Sequence, residues 1–305
     1  MGTVSAVSPS QAARWKILAA ALLFSTGGTA IKACGLGGWQ IACLRSGVAA
    51  VTLAILLPAS RRNWTRGQGF VACAYAATLI LYVLANKQTT AANAIFLQST
   101  APLYVLVLGR VWLREPIRRD DLLFMGALGI GLALFFGGLE APQRTAPDPR
   151  LGNLLAACSA VSWALTVAGL RWIARTEGRQ HGRPHGAAAG AVMQGNLLVC
   201  AVCLPLALPL GEAVAADWLW IGYLGVFQIG LAYLFLTAGV RAIHALEGAL
   251  LLLVEPVLNT LWAWVIHGEV PGPWSAAGAT LILAATVWHS VRAARRRARE
   301  RPVSP

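Results

Sequence analysis

Charge is what this chain has least of. Twelve of its 305 residues are acidic, and charged side chains make up 12% of the sequence. A globular domain averages about 25%. Long stretches carry no charge at all, which excludes a soluble fold and points to a polytopic membrane protein. Period-two alternation is also missing. A membrane β-strand would alternate apolar and polar residues over about 10 positions, whereas Leu204–Leu210 and Leu250–Val254 are continuously apolar. Backbone groups in lipid must be paired internally, so helices are the remaining solution.

Enzyme signatures are absent too. The sequence has no HExxH and no GxSxG, which counts against an integral-membrane hydrolase. Gly129-Ile130-Gly131 lacks the preceding strand that a phosphate-binding loop requires. With Gly126, these glycines read as close-packing positions of a membrane helix. Cys200 and Cys203 have a CxxC spacing without a second pair, so a zinc ion would lack ligands. They read with Cys34, Cys43, Cys73 and Cys158 as small apolar residues of the spans. His181 and His185 stand among Gly182, Pro184 and Gly186, which argue against a metal-binding helix. The sequence therefore predicts no metal site, no cofactor and no catalytic residue. No cleavage signature follows the first span, which is too long for a signal peptide and is expected to remain in the mature protein.

What is present is apolar length. Hydrophobic residues make up 57% of the chain, and a bilayer span needs roughly 20 of them as helix. About ten such stretches occur, near 15–34, 39–58, 68–86, 90–112, 120–138, 151–173, 187–210, 217–239, 244–266 and 273–292. The fold class expected is all-α, with ten transmembrane helices.

The formal net charge of +13 would suggest a nucleic-acid partner in a soluble protein. Its distribution argues otherwise. Arg14, Lys16, Arg61, Arg62, Arg66, Arg110, Arg114, Arg118, Arg119, Arg171, Arg175, Arg179, Arg183, Arg241 and the tail Arg292–Arg301 fall at alternate ends of the spans. The opposite ends receive Lys32, Lys87, Arg144 and Arg150. This positive-inside asymmetry places both termini in the cytoplasm of a multi-pass inner (plasma) membrane protein. The basic tail is then a topological anchor against anionic lipid.

The chain also repeats itself. The segment from Ala91 through Pro102 to Glu115 lies over the segment from Ala245 through Pro256 to Glu269. Pro102 and Pro256, Glu115 and Glu269, and Lys87 and Arg241 are all separated by the same number of residues. The polar, proline-rich stretch 141–150 lies between the copies. The organisation expected is a five-span repeat over 1–140, an outer connector over 141–150, a second five-span repeat over 151–292 and a basic cytoplasmic tail over 293–305. Five spans per copy means that the second copy enters the membrane from the other side, giving inverted repeats. Pro102 and Pro256 each remove a helical hydrogen bond, so kinks are expected at mid-membrane.

These features carry a resemblance. Glu255-Pro256 followed by Gly268-Glu269, Gly278-Ala-Thr-Leu-Ile-Leu in the last span, and the degenerate first copy Ala101-Pro102 with Arg114-Glu115 resemble the EamA-type drug/metabolite transporters from about residue 15 to 292. More weakly, the chain resembles amino-acid and metabolite exporters of the YddG kind. The resemblance implies that spans one, three, four, six, eight and nine surround a central cavity. It implies a secondary transporter, an exporter of small organic metabolites working by alternating access, with neutral or aromatic amino acids as leading substrates. Drugs, nucleosides or other metabolites, with coupling to protons, are the alternative. A channel or a membrane enzyme is the alternative from another class.

Candidate site residues follow from polarity within the spans. Thr78 and Tyr82 share a helical face with Tyr75. Asn93, Gln98, Trp163 and Gln228 join them as substrate-binding candidates. Ser162, Thr166 and Tyr233 are further polar positions, and Tyr82, Trp163 and Phe227 suggest an aromatic pocket for a bulky solute. Ionisable groups inside spans are costly, about 2.5 to 3.5 kcal/mol at the helix centre. Glu247, near Arg241 and His244, and Glu255, at mid-span, are therefore coupling or gating candidates together with Pro102 and Pro256. Arg45 and Lys32 are also ionisable residues within spans and carry no assigned role. Neutral amides are the expected donors to a substrate carboxylate. The scarcity of central carboxylates favours gradient-driven uniport over proton coupling.

Overall fold

A computed structural model describes residues 9–61, 65–112, 114, 116–137, 141–177, 187–211, 213–239 and 245–300. Glu115, Arg241, His244, His181 and His185 lie outside the described residues. The described residues form helices joined by short loops, with a lone bridge between Gln143 and Ala146 in the connector.

The first half contains α1 (Pro9–Ser25), α2 (Gly27–Ala33), α3 (Gly38–Leu56), α4 (Arg66–Gln88), α5 (Ala91–Gln98), α6 (Ala101–Val111) and α7 (Arg119–Gly137). The second contains α8 (Pro149–Glu177), α9 (Ala187–Ala207), α10 (Ala215–Tyr223), a π-helical segment (Leu224–Leu231), α11 (Ala232–Gly239), α12 (Ala245–Leu252), α13 (Val254–His267) and α14 (Pro273–Glu300). Eight helical runs are long and apolar enough to cross a membrane. The ten-span expectation adds α1–α2, interrupted at Thr26, and α14, whose last turns are arginine-rich. Those two fall outside the eight. Large apolar side chains such as Val51, Leu123, Leu219, Trp264, Val265 and Ile266 are exposed on the surface, as a bilayer-facing belt requires.

Local signals explain where the helices start and stop. Thr65 caps α4. Its side-chain oxygen accepts from Gln68 N–H at 3.2 Å, and Gln68 Oε1 accepts from Thr65 N–H at 3.1 Å, a reciprocal capping box. Thr90 caps α5 by accepting from Asn93 N–H at 3.2 Å. Gly268 ends α13 with φ of 68°, a conformation glycine adopts without a Cβ penalty. Across that turn Glu269 N–H donates to Ala263 O at 3.2 Å, and the Glu269 side chain enters the interior.

The repeat is visible as a repeated break. Span four divides at Ser99–Thr100 into α5 and α6, and span nine divides at Leu253 into α12 and α13. Each proline falls in the first turn of the following helix, where its missing N–H costs least. The expected kinks take the form of short turns, one or two residues long, whose backbone stays right-handed helical. The halves pack closely: α4 on α8 and α9, α3 on α9 and the π segment, α1 on α11, and α7 on α14. A Cβ built on Gly230 would stand 2.4 Å from Thr52 Cγ2, and one on Gly225 would stand 2.5 Å from Val48 Cβ. The π segment therefore lies backbone-close to α3. Of the three span-five glycines, Gly131 meets Gly278 and Ile282 of α14, while Gly126 and Gly129 face open space.

Candidate solute cavity

The helix breaks and the π segment meet at one cavity of about 470 Å³. Small-molecule sites typically enclose roughly 300–1,000 Å³. Both repeats line it. Thr78 and Tyr82 come from α4, Gln98 from the end of α5, Pro102 from α6, Trp163 from α8, Gln228 from the π segment, and Glu255 and Pro256 from α13. Thr78, Tyr82 and Trp163 stand on regular stretches of α4 and α8, whereas the others lie at or near irregular backbone. Gln98 precedes the first break, Glu255 follows the second, and Gln228 lies in a helix widened by π hydrogen bonding.

Polar satisfaction divides these residues. Thr78 Oγ1 donates to Ala74 O at 2.9 Å, and Gln98 Nε2 donates to Ser159 Oγ at 2.7 Å. Asn259 Nδ2 donates to Tyr82 Oη at 3.4 Å, linking α13 to α4. Gln228 is buried with its Oε1 unpartnered. Aromatic rings give the cavity one wall: Tyr75 lies 6.3 Å from Trp163 and 6.0 Å from Tyr233, and Phe24 lies 5.3 Å from Tyr233. Such spacings suit edge and tilted aromatic contacts.

Five expected residues lie elsewhere, among them Ser162 and Thr166 of α8, where Thr166 Oγ1 donates to Ser162 O at 3.0 Å. Asn93 is buried outside the cavity, where its Nδ2 stands 3.4 Å from both Asn153 Oδ1 and Thr89 Oγ1. Glu247 pairs with Arg14 of α1 at a half-exposed position. Phe227 is 45% exposed and stacks on Tyr223 at 5.7 Å. It points away from the cavity because neighbouring residues of one helix face different sides.

Asn93 belongs to a closed polar layer at one end of the bundle. Lys32 Nζ is 2.9 Å from Glu269 Oε1, with both side chains almost fully buried. Glu269 Oε2 accepts from Ala91 N–H at 2.8 Å, at the start of α5. Lys32 also donates to Thr89 O at 2.8 Å and to Thr145 O of the connector. Thr89 Oγ1 bonds Asn153 Oδ1 at 2.8 Å, and Asn153 Nδ2 donates to Phe135 O at 3.0 Å. Beside it, Lys87 donates to Cys34 O at 2.7 Å and Asp217 accepts from Gly35 N–H at 2.6 Å. The ends of α2, α4, α5, α7, α8 and α13 are tied together here.

Two ionisable groups of the cavity have no ion-pair partner among the described residues. Arg45 of α3 is 1% exposed and lines the cavity. It donates to Leu79 O at 3.5 Å, and its Nε has no partner. Glu255 lines the same space without a neighbouring cation. In the sequence Arg45 is an ionisable residue within a span to which no role is assigned. Its isolation in the apolar run 39–58 was the available signal.

Two helical repeats around a mid-bundle cavity, faced with lipid-compatible side chains, describe a polytopic membrane protein. The sequence pattern of the EamA-like transporter family matches residues 13–137 and 150–291, and the chain belongs to that family. It is thus a small-molecule transporter by family. No curated protein matches the chain. One similar solved structure, described only as the crystal structure of a protein, is 23% identical with a TM-score of 0.60. The match covers 93% of this chain and 98% of that one. At that identity the likeness concerns the fold.

Proposed function

We propose that this protein is a secondary exporter of neutral and aromatic amino acids, working by alternating access. The observation that carries the reading is the pairing of two equivalent helix breaks, at Ser99–Thr100 and Leu253, on one cavity. Helices interrupted at mid-membrane free backbone groups for a solute and give two bundles a place to bend. The aromatic wall of Tyr75, Tyr82 and Trp163, with the amides of Gln98 and Gln228, suits a solute with an apolar side chain and a few polar groups.

In this reading Thr78, Tyr82, Gln98, Trp163 and Gln228 contact solute, and Asn93 acts from the closed polar layer. Pro102 and Pro256 mark the bending points, and Glu247 with Arg14 holds the opposite end. The charge asymmetry supports an orientation with both termini cytoplasmic and the Lys32 end outside. Solute moves down its own gradient, and Glu255 offers a carboxyl for the alternative in which a proton is coupled.

Counterflow of labelled amino acids in proteoliposomes tests the proposal. Saturable exchange is expected, with Trp163→Ala and Gln228→Ala each raising the half-saturation concentration. Chemical change of the solute would indicate an enzyme, and unsaturable flux a channel. If both variants keep wild-type saturation, the assigned pocket is wrong.

A further inference from the structure

We infer that Arg45 is the seat for the carboxylate of the transported solute. This rests on the transporter reading above and narrows its substrate class.

The argument starts from an imbalance. A guanidinium carries five N–H donors in a planar fork and keeps its charge in proteins. Taking such a group out of water is costly unless a partner offsets the loss. Arg45 is buried, yet among the described residues it has one long bond, to Leu79 O at 3.5 Å, and an unpartnered Nε. The groups within electrostatic reach of it are Tyr75, Tyr82 and Cys203, none of them a carboxylate. Elsewhere in the interior a buried cation has its counterion: Lys32 has Glu269 at 2.9 Å. Arg45 differs in lining the cavity. Its missing partner is therefore one that enters and leaves.

The kind of anion follows from the rest of the lining. Among the described residues that line the cavity, Arg45 is the one cation and Glu255 the one carboxyl. Tyr82 lies within electrostatic reach of both. A dianionic phosphate would meet a single guanidinium, which balances half of its charge. A monocarboxylate with an apolar side chain matches the single guanidinium and leaves that side chain for Tyr75, Tyr82 and Trp163. Bidentate carboxylate recognition is what the arginine fork does well. The expected amide donors, Gln98 and Gln228, are then secondary: Gln98 is engaged with Ser159, and Gln228 retains a free carbonyl oxygen.

The test uses the full chain in proteoliposomes with two solute pairs, L-phenylalanine against L-phenylalaninamide and L-leucine against L-leucinamide. The amides keep side chain and amine and lose the carboxylate. Wild type is expected to exchange each acid at least about tenfold faster than its amide, equivalent to one missing charged contact. Arg45→Gln is expected to bring that ratio close to one by losing the acid, with amide exchange retained. Arg45→Lys is expected to keep the preference for the acid. Equal exchange of acid and amide by wild type overturns the carboxylate seat while leaving the transporter reading standing. So does an unchanged ratio in Arg45→Gln. Absence of exchange for all four solutes overturns the amino-acid reading, and the seat with it. If Arg45→Gln does not fold, the wild-type ratios and Arg45→Lys decide.

Discussion

Lys32 and Glu269 form a buried ion pair, Nζ to Oε1 at 2.9 Å, between the end of the first span and the turn after α13. The pair joins the two repeats at the end where the connector also docks. Its geometry depends on Gly268, whose left-handed backbone turns Glu269 inward, and on the start of α5, whose Ala91 N–H holds the second carboxylate oxygen.

Removing one partner should leave a lone buried charge, at a cost of about 3–5 kcal/mol. Lys32→Met and Glu269→Gln are each expected to lower the unfolding temperature of detergent-purified protein by several degrees. The double variant Lys32→Met/Glu269→Met should lose less than the two single losses combined. Single variants with wild-type unfolding temperatures would show that the pair holds nothing together.

Asn153 is the hub of the same layer, bonding Thr89, Asn93 and Phe135 O. Asn153→Leu strands those partners, and each buried orphan costs about 1–3 kcal/mol. A clear loss of thermal stability is expected. Asn153→Asp keeps the acceptor for Thr89 and loses the donor to Phe135 O, so an intermediate loss should be measured.

Gly230 admits α3 to close approach. With a Cβ at that position only 2.4 Å from Thr52 Cγ2, Gly230→Val must push the π segment away from α3. Overpacking of this kind costs roughly 1–3 kcal/mol. Reduced monodisperse yield and a lower unfolding temperature are expected, and the paired change Gly230→Ala/Thr52→Ala should recover much of the loss. No recovery would mean that the contact with Thr52 is not the cause.

Sidedness is testable with membrane-impermeant thiol reagents in a cysteine-free background. Arg144 in the connector and Arg295 in α14 are both exposed. Arg144→Cys should label in intact cells, and Arg295→Cys only after permeabilisation. Labelling of both from one side would remove the inverted arrangement of the repeats and the transport cycle built on it.

Much of this was legible in the chain itself. The low charge and continuous apolar runs required membrane helices, because lipid offers backbone groups no partners. The matched prolines marked the two places where those helices divide, because proline removes an N–H wherever it stands. Thr78, Tyr82, Gln98, Trp163, Gln228 and Glu255 could be picked out by polarity, since a polar side chain in a span is costly unless it faces a cavity or partner.

Direction and company were decided by tertiary structure. Asn93 and Gln98 occupy the same helix, but Asn93 turns to Asn153 and Gln98 to the cavity. Phe227 and Gln228 are adjacent, and one faces outward while the other is buried. The Gly268 turn delivers Glu269 to Lys32, more than two hundred residues earlier in the chain. Glu247 found Arg14. Residue type and spacing determine what a span can tolerate, whereas pairing across long sequence separation depends on which helices pack together. The lone charge of Arg45 could be read from the sequence, but its lack of a counterion appeared only once its neighbours were in place.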